Sequence, residues 1–199
     1  MPKVKRQEVT ETKEHILAVA REQFMRKGYA GASINEIVNA TQVTKPTVYY
    51  HFKNKEGLFA ALVEDAYERC YQERCRAVEP ETRVEEQIYQ VIAADFSFCL
   101  QEPALVRFVV ALTFALPEDK PLDFKMLHNR DYEFFRAIIE RGVSRGELRE
   151  LDAGEAAIAL QGLIIINIMS FLKMEKTADF LSPERARALA QVLLQGIKA

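Results

Sequence analysis

Residues 33–58, SINEIVNATQVTKPTVYYHFKNKEGL, constrain the fold more than any other part of the chain, because three helix starts are written into one short run. Ser33 and Glu36 have the S-x-x-E spacing of a capping box, in which the hydroxyl takes one free amide at a helix start and the carboxylate reaches back to another. Thr44 is a second N-cap. Pro46 falls in the first turn behind it, where a missing N–H does no harm, and Val43 and Val48 sit at the two staple positions. A second short helix therefore runs over residues 45–51. Asn54 caps a third. Two short helices closed around a turn and followed by a third helix start make a helix-turn-helix.

On the second helix Val48 and Phe52 lie four apart and can anchor one face, which leaves Lys45, Thr47, Tyr49, Tyr50 and His51 for the rest of its surface. Capping boxes start helices everywhere, and helix pairs of this size occur in proteins that never touch nucleic acid. The density of polar and aromatic groups separates this pair from a bland surface helix, which would carry Glu and Ala. At the next helix start, an N-terminal dipole and the Lys55 cation point at one region, where a phosphate would sit well.

The run TKPTVYYHFKNKEGLF resembles the recognition helix and following linker of the TetR family of bacterial repressors, with its Thr/Ser, Lys, Thr, Tyr, His, Phe and Lys-Glu positions all matched. The likeness reaches back over residues 12–27 as a first helix and 28–32 as a loop. Over the remaining two thirds it is one of length and helical pattern. Gln42 stands where the family usually has Gly in the turn, and Pro46 where it often has Gly in the recognition helix. A left-handed Gln42 would cost about 1–2 kcal/mol. Pro46 removes any backbone N–H contact to DNA at its position.

The resemblance implies an all-α protein with an N-terminal helix-turn-helix head of three helices over residues 1–53 and a larger helical-bundle body for ligand binding and dimerisation over 54–199. It places Ser33, Thr44, Lys45, Thr47, Tyr49, Tyr50, His51 and Lys55 at a double-stranded DNA operator. Tyr49, His51 and Lys55 would position the head on phosphates, while Lys45 and Thr47 would face base edges. One small head buries little surface. Two heads related by a two-fold reach successive major grooves about 34–36 Å apart, and a palindromic site follows.

Charge distribution agrees with that direction. The chain of 199 residues carries a formal net charge of −2, but residues 1–60 hold ten Lys and Arg against six Glu, a net of +4 that leaves −6 for the rest. Such polarity turns the basic end toward a polyanion. The start, MPKVKRQ, lacks an apolar core and reads as a flexible basic arm, not a signal peptide. The longest apolar run, residues 162–169, is broken by Asn167, so no bilayer span is expected and the reading is a soluble, cytoplasmic protein. Cys70, Cys75 and Cys99 are odd in number and lack C-x-x-C spacing, as reduced cytoplasmic thiols do. The three histidines are scattered, so no metal site is expected. Nor is a cofactor or catalytic site, since no residue feature pairs a Cys nucleophile with a base.

The body reads as helices over residues 55–78, 82–101, 103–116, 122–145, 153–174 and 183–198. The first of these begins in the head and crosses into the body, so its tilt would move the head. Residues 153–172, AGEAAIALQGLIIINIMSFL, are apolar nearly all round, which implies burial on more than one side. The last helix carries Ala186, Leu189, Ala190, Leu193, Leu194 and Ile197 as a stripe that stays exposed unless something covers it. Packing within the chain would account for the pattern. In the family the last two helices form a four-helix dimer interface, which implies a homodimer held through Leu163, Ile166, Leu189, Leu193 and Ile197.

Seven of the 12 phenylalanines fall between Phe96 and Phe135, a cluster that reads as core. In the family the same helices line a ligand cavity, and here they embed a few polar groups among apolar ones. The candidate lining is Phe96, Arg107, Phe108, His128, Asn129, Tyr132 and Asn167. Arg107 has an alternative as the partner of a glutamate on a neighbouring helix, and Asn167 as a hydrogen bond at the dimer seam. As the one formal charge in residues 104–116, Arg107 favours an apolar effector with an acidic head, a fatty acid or acyl-CoA, and would repel a cationic drug. The function expected is a ligand-responsive repressor released from its operator by a small hydrophobic or amphipathic molecule. The alternative is a DNA-binding regulator without a ligand.

Overall fold

The computed structural model of the chain describes residues 3–115, 125–174 and 177–197, with side chains described over 10–111, 129–174 and 177–195. Among these described residues nine α-helices follow one another: α1 Lys3–Gly31, α2 Ile34–Thr41, α3 Lys45–Phe52, α4 Lys55–Ala77, α5 Val84–Gln101, α6 Pro103–Ala115, α7 Lys125–Ser144, α8 Ala153–Lys173 and α9 Pro183–Ile197. A 3-10 turn, Ala178–Leu181, precedes α9, and no strand occurs among the described residues. The all-α expectation holds.

The helix starts follow the caps, with one correction. Thr44 accepts from the Thr47 N–H and Pro46 sits in the first turn, as its sequence position implies. Asn54 Oδ1 accepts from the Gly57 N–H at 2.7 Å. Ser33 does cap α2, but its oxygen takes the Asn35 N–H. Glu36 does not reach back to complete a capping box; it pairs with Lys27 Nζ at 2.6 Å. A charged partner on α1 outcompetes a neutral amide for a carboxylate. The basic start is also not a loose arm, because α1 reaches back to Lys3. Gly28 does not end that helix outright. It kinks it, at φ 69° and ψ 174°, and one further turn follows. Gln42 takes the left-handed conformation, φ 57°, at the end of α2, so the strain expected of a non-glycine in this turn is present.

α1, α2, α3 and α4 as far as Ala66 belong to one compact unit; α4 from Tyr67, α5, α6 as far as Val110, α7, α8 and α9 belong to another. The first is closed over Ile16, Ala20 and Phe24 of α1, Ile37 of α2, Val48 and Phe52 of α3, and Leu58 and Phe59 of α4, all buried. Phe24 and Tyr29 each meet the Phe59 ring edge-on, with centroids 5.1 and 4.9 Å apart. In the second, α7 packs along α8 and α5 along α9.

Apolar packing decides which helices touch, and buried amides fix where they touch. Gln87 of α5 gives both amide protons to the Pro80 and Thr82 carbonyls and takes both Arg141 donors of α7 on its oxygen. Asn167 of α8 accepts two bonds from Arg185 of α9, at 3.1 and 2.8 Å, and donates to the Leu163 carbonyl. A buried amide left open would cost about 1–3 kcal/mol, so such fully bonded groups select one register. By length and composition alone α8 is apolar enough to cross a membrane despite Asn167, a property that the core helix of a bundle shares.

Candidate nucleic-acid interface

Val48 and Phe52 are the buried side of α3, with 0% and 4% exposure, so the opposite faces are what α3 presents outward. Tyr49 is 40% and Tyr50 78% exposed, and Lys45 is exposed in the first turn. Lys45 Nζ stands 5.8 Å from the Tyr49 ring centroid, one turn on, where a cation and an aromatic face support each other. Thr44 and Thr47 share a hydroxyl hydrogen bond of 2.8 Å. Lys45 and these two hydroxyls therefore gather at the amino end of α3, where the helix dipole is positive. His51 is half-buried, its ring edge-on to Tyr50. Ser33 lies apart from these groups, its oxygen engaged as the α2 cap.

Lys55 is placed differently from Lys45. Its ammonium lies 4.7 Å above the Tyr29 ring and donates to the Ala30 carbonyl at 3.3 Å. Tyr29 in turn gives its hydroxyl proton to Glu56 at 3.0 Å. Burial, then the bond to Glu56 and its charge, push the Tyr29 phenol up, while the Glu56 carboxyl is lowered by its own backbone N–H and then by Tyr29. This clasp ties the end of α1 to the first turn of α4. Tyr29 and Glu56 were not among the residues singled out from sequence; the spacing of 27 residues between them gives no local signal.

The joint between α3 and α4 is as tight. Lys53 ends α3 at φ 66° and its N–H returns to the Tyr49 carbonyl. A Cβ on Gly57 would stand 2.0 Å from the Phe52 carbonyl oxygen, so only glycine lets the first turn of α4 come this close.

The groups expected in the body are more scattered. Phe96 and Phe108 are core, at 1% and 4% exposure. Arg107 is exposed and donates to the Leu172 carbonyl at 3.1 Å, an open acceptor in the last turn of α8, and pairs with no glutamate among the described residues. Asn129 is exposed and Tyr132 half-buried, whereas Asn167 is closed off by Arg185 and Leu163. The His128 side chain lies outside the described residues, as do those of Phe114, Phe124 and Ile197. Of the expected seam residues, Ile166 is 58% exposed and Leu163, Leu189 and Leu193 are half-buried. The α9 stripe is divided: Ala186, Ala190 and Leu194 are buried against the chain's own helices, and the exposed position is Val192, at 65%, which the stripe had left out. Ile158, at 53%, is a second exposed apolar group that the sequence reading passed over.

Residues 16–62, which contain this whole arrangement of helices and caps, match the sequence profile of the bacterial regulatory proteins of the tetR family. Over these residues the chain belongs to the TetR family. The regulator AcrR of Shigella flexneri is 41% identical over 64 residues, 32% of this chain and 30% of that protein. The repressor NicS of Pseudomonas putida is 24% identical over 149 residues, 74% of this chain and 70% of that protein. The alignment thus spans less than a third of AcrR. Solved structures extend the fold over the rest of this chain. A tetR-family regulator from Rhodococcus RHA1 matches with a TM-score of 0.75 at 21% identity, covering 94% of this chain and 97% of that one. The TetR-family regulator PfmR from Thermus thermophilus matches with a TM-score of 0.71 at 25% identity, covering 92% and 99%.

Within this matched head the Gly57 joint is open to a direct test. Gly57→Ala is expected to lower head stability by about 1–3 kcal/mol, since a methyl cannot share space with the Phe52 carbonyl. Thermal unfolding of the full chain followed by circular dichroism measures it, and an unchanged melting curve would show that α4 does not need this approach.

Proposed function

We propose that the protein is a transcriptional repressor that binds a palindromic operator as a homodimer and is released by a small apolar or amphipathic molecule. The observation that carries the DNA-binding part is α3 itself: Val48 and Phe52 hold one side in the core while Lys45, Tyr49 and Tyr50 stand free on the others. Selection from a random duplex pool tests it, and enrichment of no inverted repeat would refute the operator. The name of NicS as a repressor favours repression. Such a role places the protein in the cytoplasm with its DNA, and no catalytic role is proposed.

Thr44, Lys45 and Thr47 are the proposed readers of base edges, with Tyr49, Tyr50 and His51 beside them on the backbone and Ser33 supporting as the cap of α2. Lys45→Ala is expected to weaken the selected duplex and relax its preference at one base pair per half-site, by about 1–3 kcal/mol. Lys55→Ala should weaken all duplexes alike and reduce the salt slope by about 1, once the ammonium is taken as a phosphate contact held in place by Tyr29. Anisotropy titrations on selected and scrambled duplexes at several salt concentrations separate the two. Equal losses on both duplexes for Lys45→Ala would remove it from the reading role.

The dimer is proposed on α8 and α9, whose outward sides carry Ile158, Ile166 and Val192 beside the half-buried Leu163, Leu189 and Leu193. Val192 is the informative position because it is exposed and a change there leaves the interior alone. Val192→Glu would put a charge into the seam, so light scattering should report monomers with full helical content. A dimer that persists moves the interface elsewhere.

For the effector, the proposed class is an apolar body with an acidic head, a fatty acid or acyl-CoA, with Arg107 exchanging the Leu172 carbonyl for the head group. The other proposed lining residues are Phe96, Phe108, His128, Asn129, Tyr132 and Asn167. Release of the selected duplex should follow titration with acyl-CoA and be reduced by Arg107→Ala. Release by lipophilic cations alone, indifferent to that substitution, would reverse the assignment.

A further inference from the structure

Three helices of the body converge on one buried ionic cluster that neither DNA binding nor the proposed effector contacts use. Arg74 of α4 gives its Nε proton to Asp95 Oδ1 of α5 at 2.7 Å, and its Nη1 stands 3.1 Å from Asp131 Oδ2 of α7. The three side chains are 13%, 6% and 12% exposed. The guanidinium also lies over the Phe135 ring, 5.2 Å from its centroid. The remaining atoms decide what this cluster can be. Asp95 Oδ2, Asp131 Oδ1 and Arg74 Nη1 are sealed from solvent and have no hydrogen-bond partner.

Two carboxylates thus share one guanidinium. Fully ionised, the cluster would hold an excess negative charge in a sealed site, and a buried charge without a partner neutralises itself where it can. Among the described residues, groups on the surrounding helices do not supply the missing positive charge. On α4 the neighbour is Cys70, whose thiol burial pushes up to about 12. On α5 it is Cys99, also pushed up to about 12 by burial. Arg107 of α6 acts on Cys99 and is bonded to Leu172. Arg130 of α7 pairs with Glu68 through Nη1 and lies over the Tyr71 ring, its Nε and Nη2 buried without a hydrogen-bond partner, and Arg141 is bonded to Gln87. On the side of α5 that meets α9, Arg187 serves Glu86 and Tyr89. The free oxygens are sealed from solvent, and a proton is the smallest cation that neutralises such a site.

We infer that Asp95 holds a proton in the folded body, so that the Arg74–Asp95–Asp131 cluster is a proton-dependent latch joining α4 to α5 and α7. Burial, against the opposing pull of Arg74, raises the Asp95 carboxyl above its ordinary value of 3.8, and Asp131 adds to the rise. The direction of the pH effect follows. A carboxyl raised in the folded state favours folding most below its unfolded pKa, and that contribution is lost as pH rises through the folded one. The latch is therefore tight in mild acid and weakens toward alkaline pH. If α4 carries the signal to the head, which rests on the repressor reading above, DNA release becomes easier as pH rises.

The test uses the full chain with 13C-labelled aspartate. Over a titration from acid to alkaline pH, one side-chain carboxyl resonance should titrate above the ordinary aspartate value and vanish in Asp95→Asn. Over the same range the Tm of the native protein should fall by roughly 2–8 °C more than that of Asp95→Asn or Asp131→Asn. The second variant removes the like charge and lets Asp95 ionise beside Arg74. All carboxyls titrating in the ordinary range would overturn the latch even if both variants failed to fold, and so would equal Tm slopes in the native and folded variant proteins. For the link to DNA, the ratio of Kd at about pH 8 to Kd at about pH 6 on the selected duplex should be larger for the native protein than for Asp95→Asn. Equal ratios would overturn that link on its own, separately from the proton and from operator binding.

Discussion

The anchoring of α4 at its two ends is the constraint on which the rest of the structure depends. At its start, Asn54 caps it, Gly57 lets it press against the Phe52 carbonyl, and the clasp of Tyr29, Lys55 and Glu56 ties it to α1. Near its end Arg74 is gripped by carboxylates from α5 and α7. Neither joint is a general apolar contact. Each is a set of directional bonds whose geometry a small rotation of the helix would disturb.

The polar interior of the body carries a similar logic. Gln87 and Asn167 have their main donors and acceptors filled by groups from other segments, and they act as fixed registers. Arg74 with its two aspartates is unlike them, because its charges balance only with a proton on Asp95 and part of the bonding capacity is left open. A fully satisfied network rigidifies; a partly satisfied one leaves the fold sensitive to whatever completes it. The difference separates joints that hold the body together from the joint that responds to conditions.

How far these features could be read from the chain depends on the range of the interaction. Thr44, Pro46 and Asn54 act within one turn, so the helices they start were legible, as was burial of Val48 and Phe52 four residues apart. The left-handed turn could be anticipated at Gln42 for the same reason. Glu36 shows the limit: its local pattern named one partner, and Lys27, on another helix, took it. The Arg74 cluster joins residues 21 positions apart and more, out of reach of any local pattern. One signal was nevertheless present. A lone charge in an apolar run drew notice at Arg107, and Asp95, within the run VIAADFSFCL, satisfies the same rule. Applied to both, it would have marked the residue that is buried as well as the one that is not.

The division of α9 carries the argument about assembly further than its composition could. Counting every apolar residue as one stripe hides a difference in burial between its sides. The buried positions are the small Ala186 and Ala190, which let α9 approach α5 closely, and Leu194, while Val192 is exposed and Leu189 and Leu193 stay half-covered. A helix that served only its own chain would do better with its large apolar groups inward, where each contributes about 1.5–3 kcal/mol on full burial, and polar groups outward. Here the large groups at those positions gain little from the chain's own fold. Ile158 and Ile166, one face along α8, repeat the pattern with exposed isoleucines beside a buried Leu160 and Ile164. Exposed β-branched and leucine side chains on two successive helices make an apolar surface that a second copy of the chain would cover with the same groups, as a two-fold interface requires.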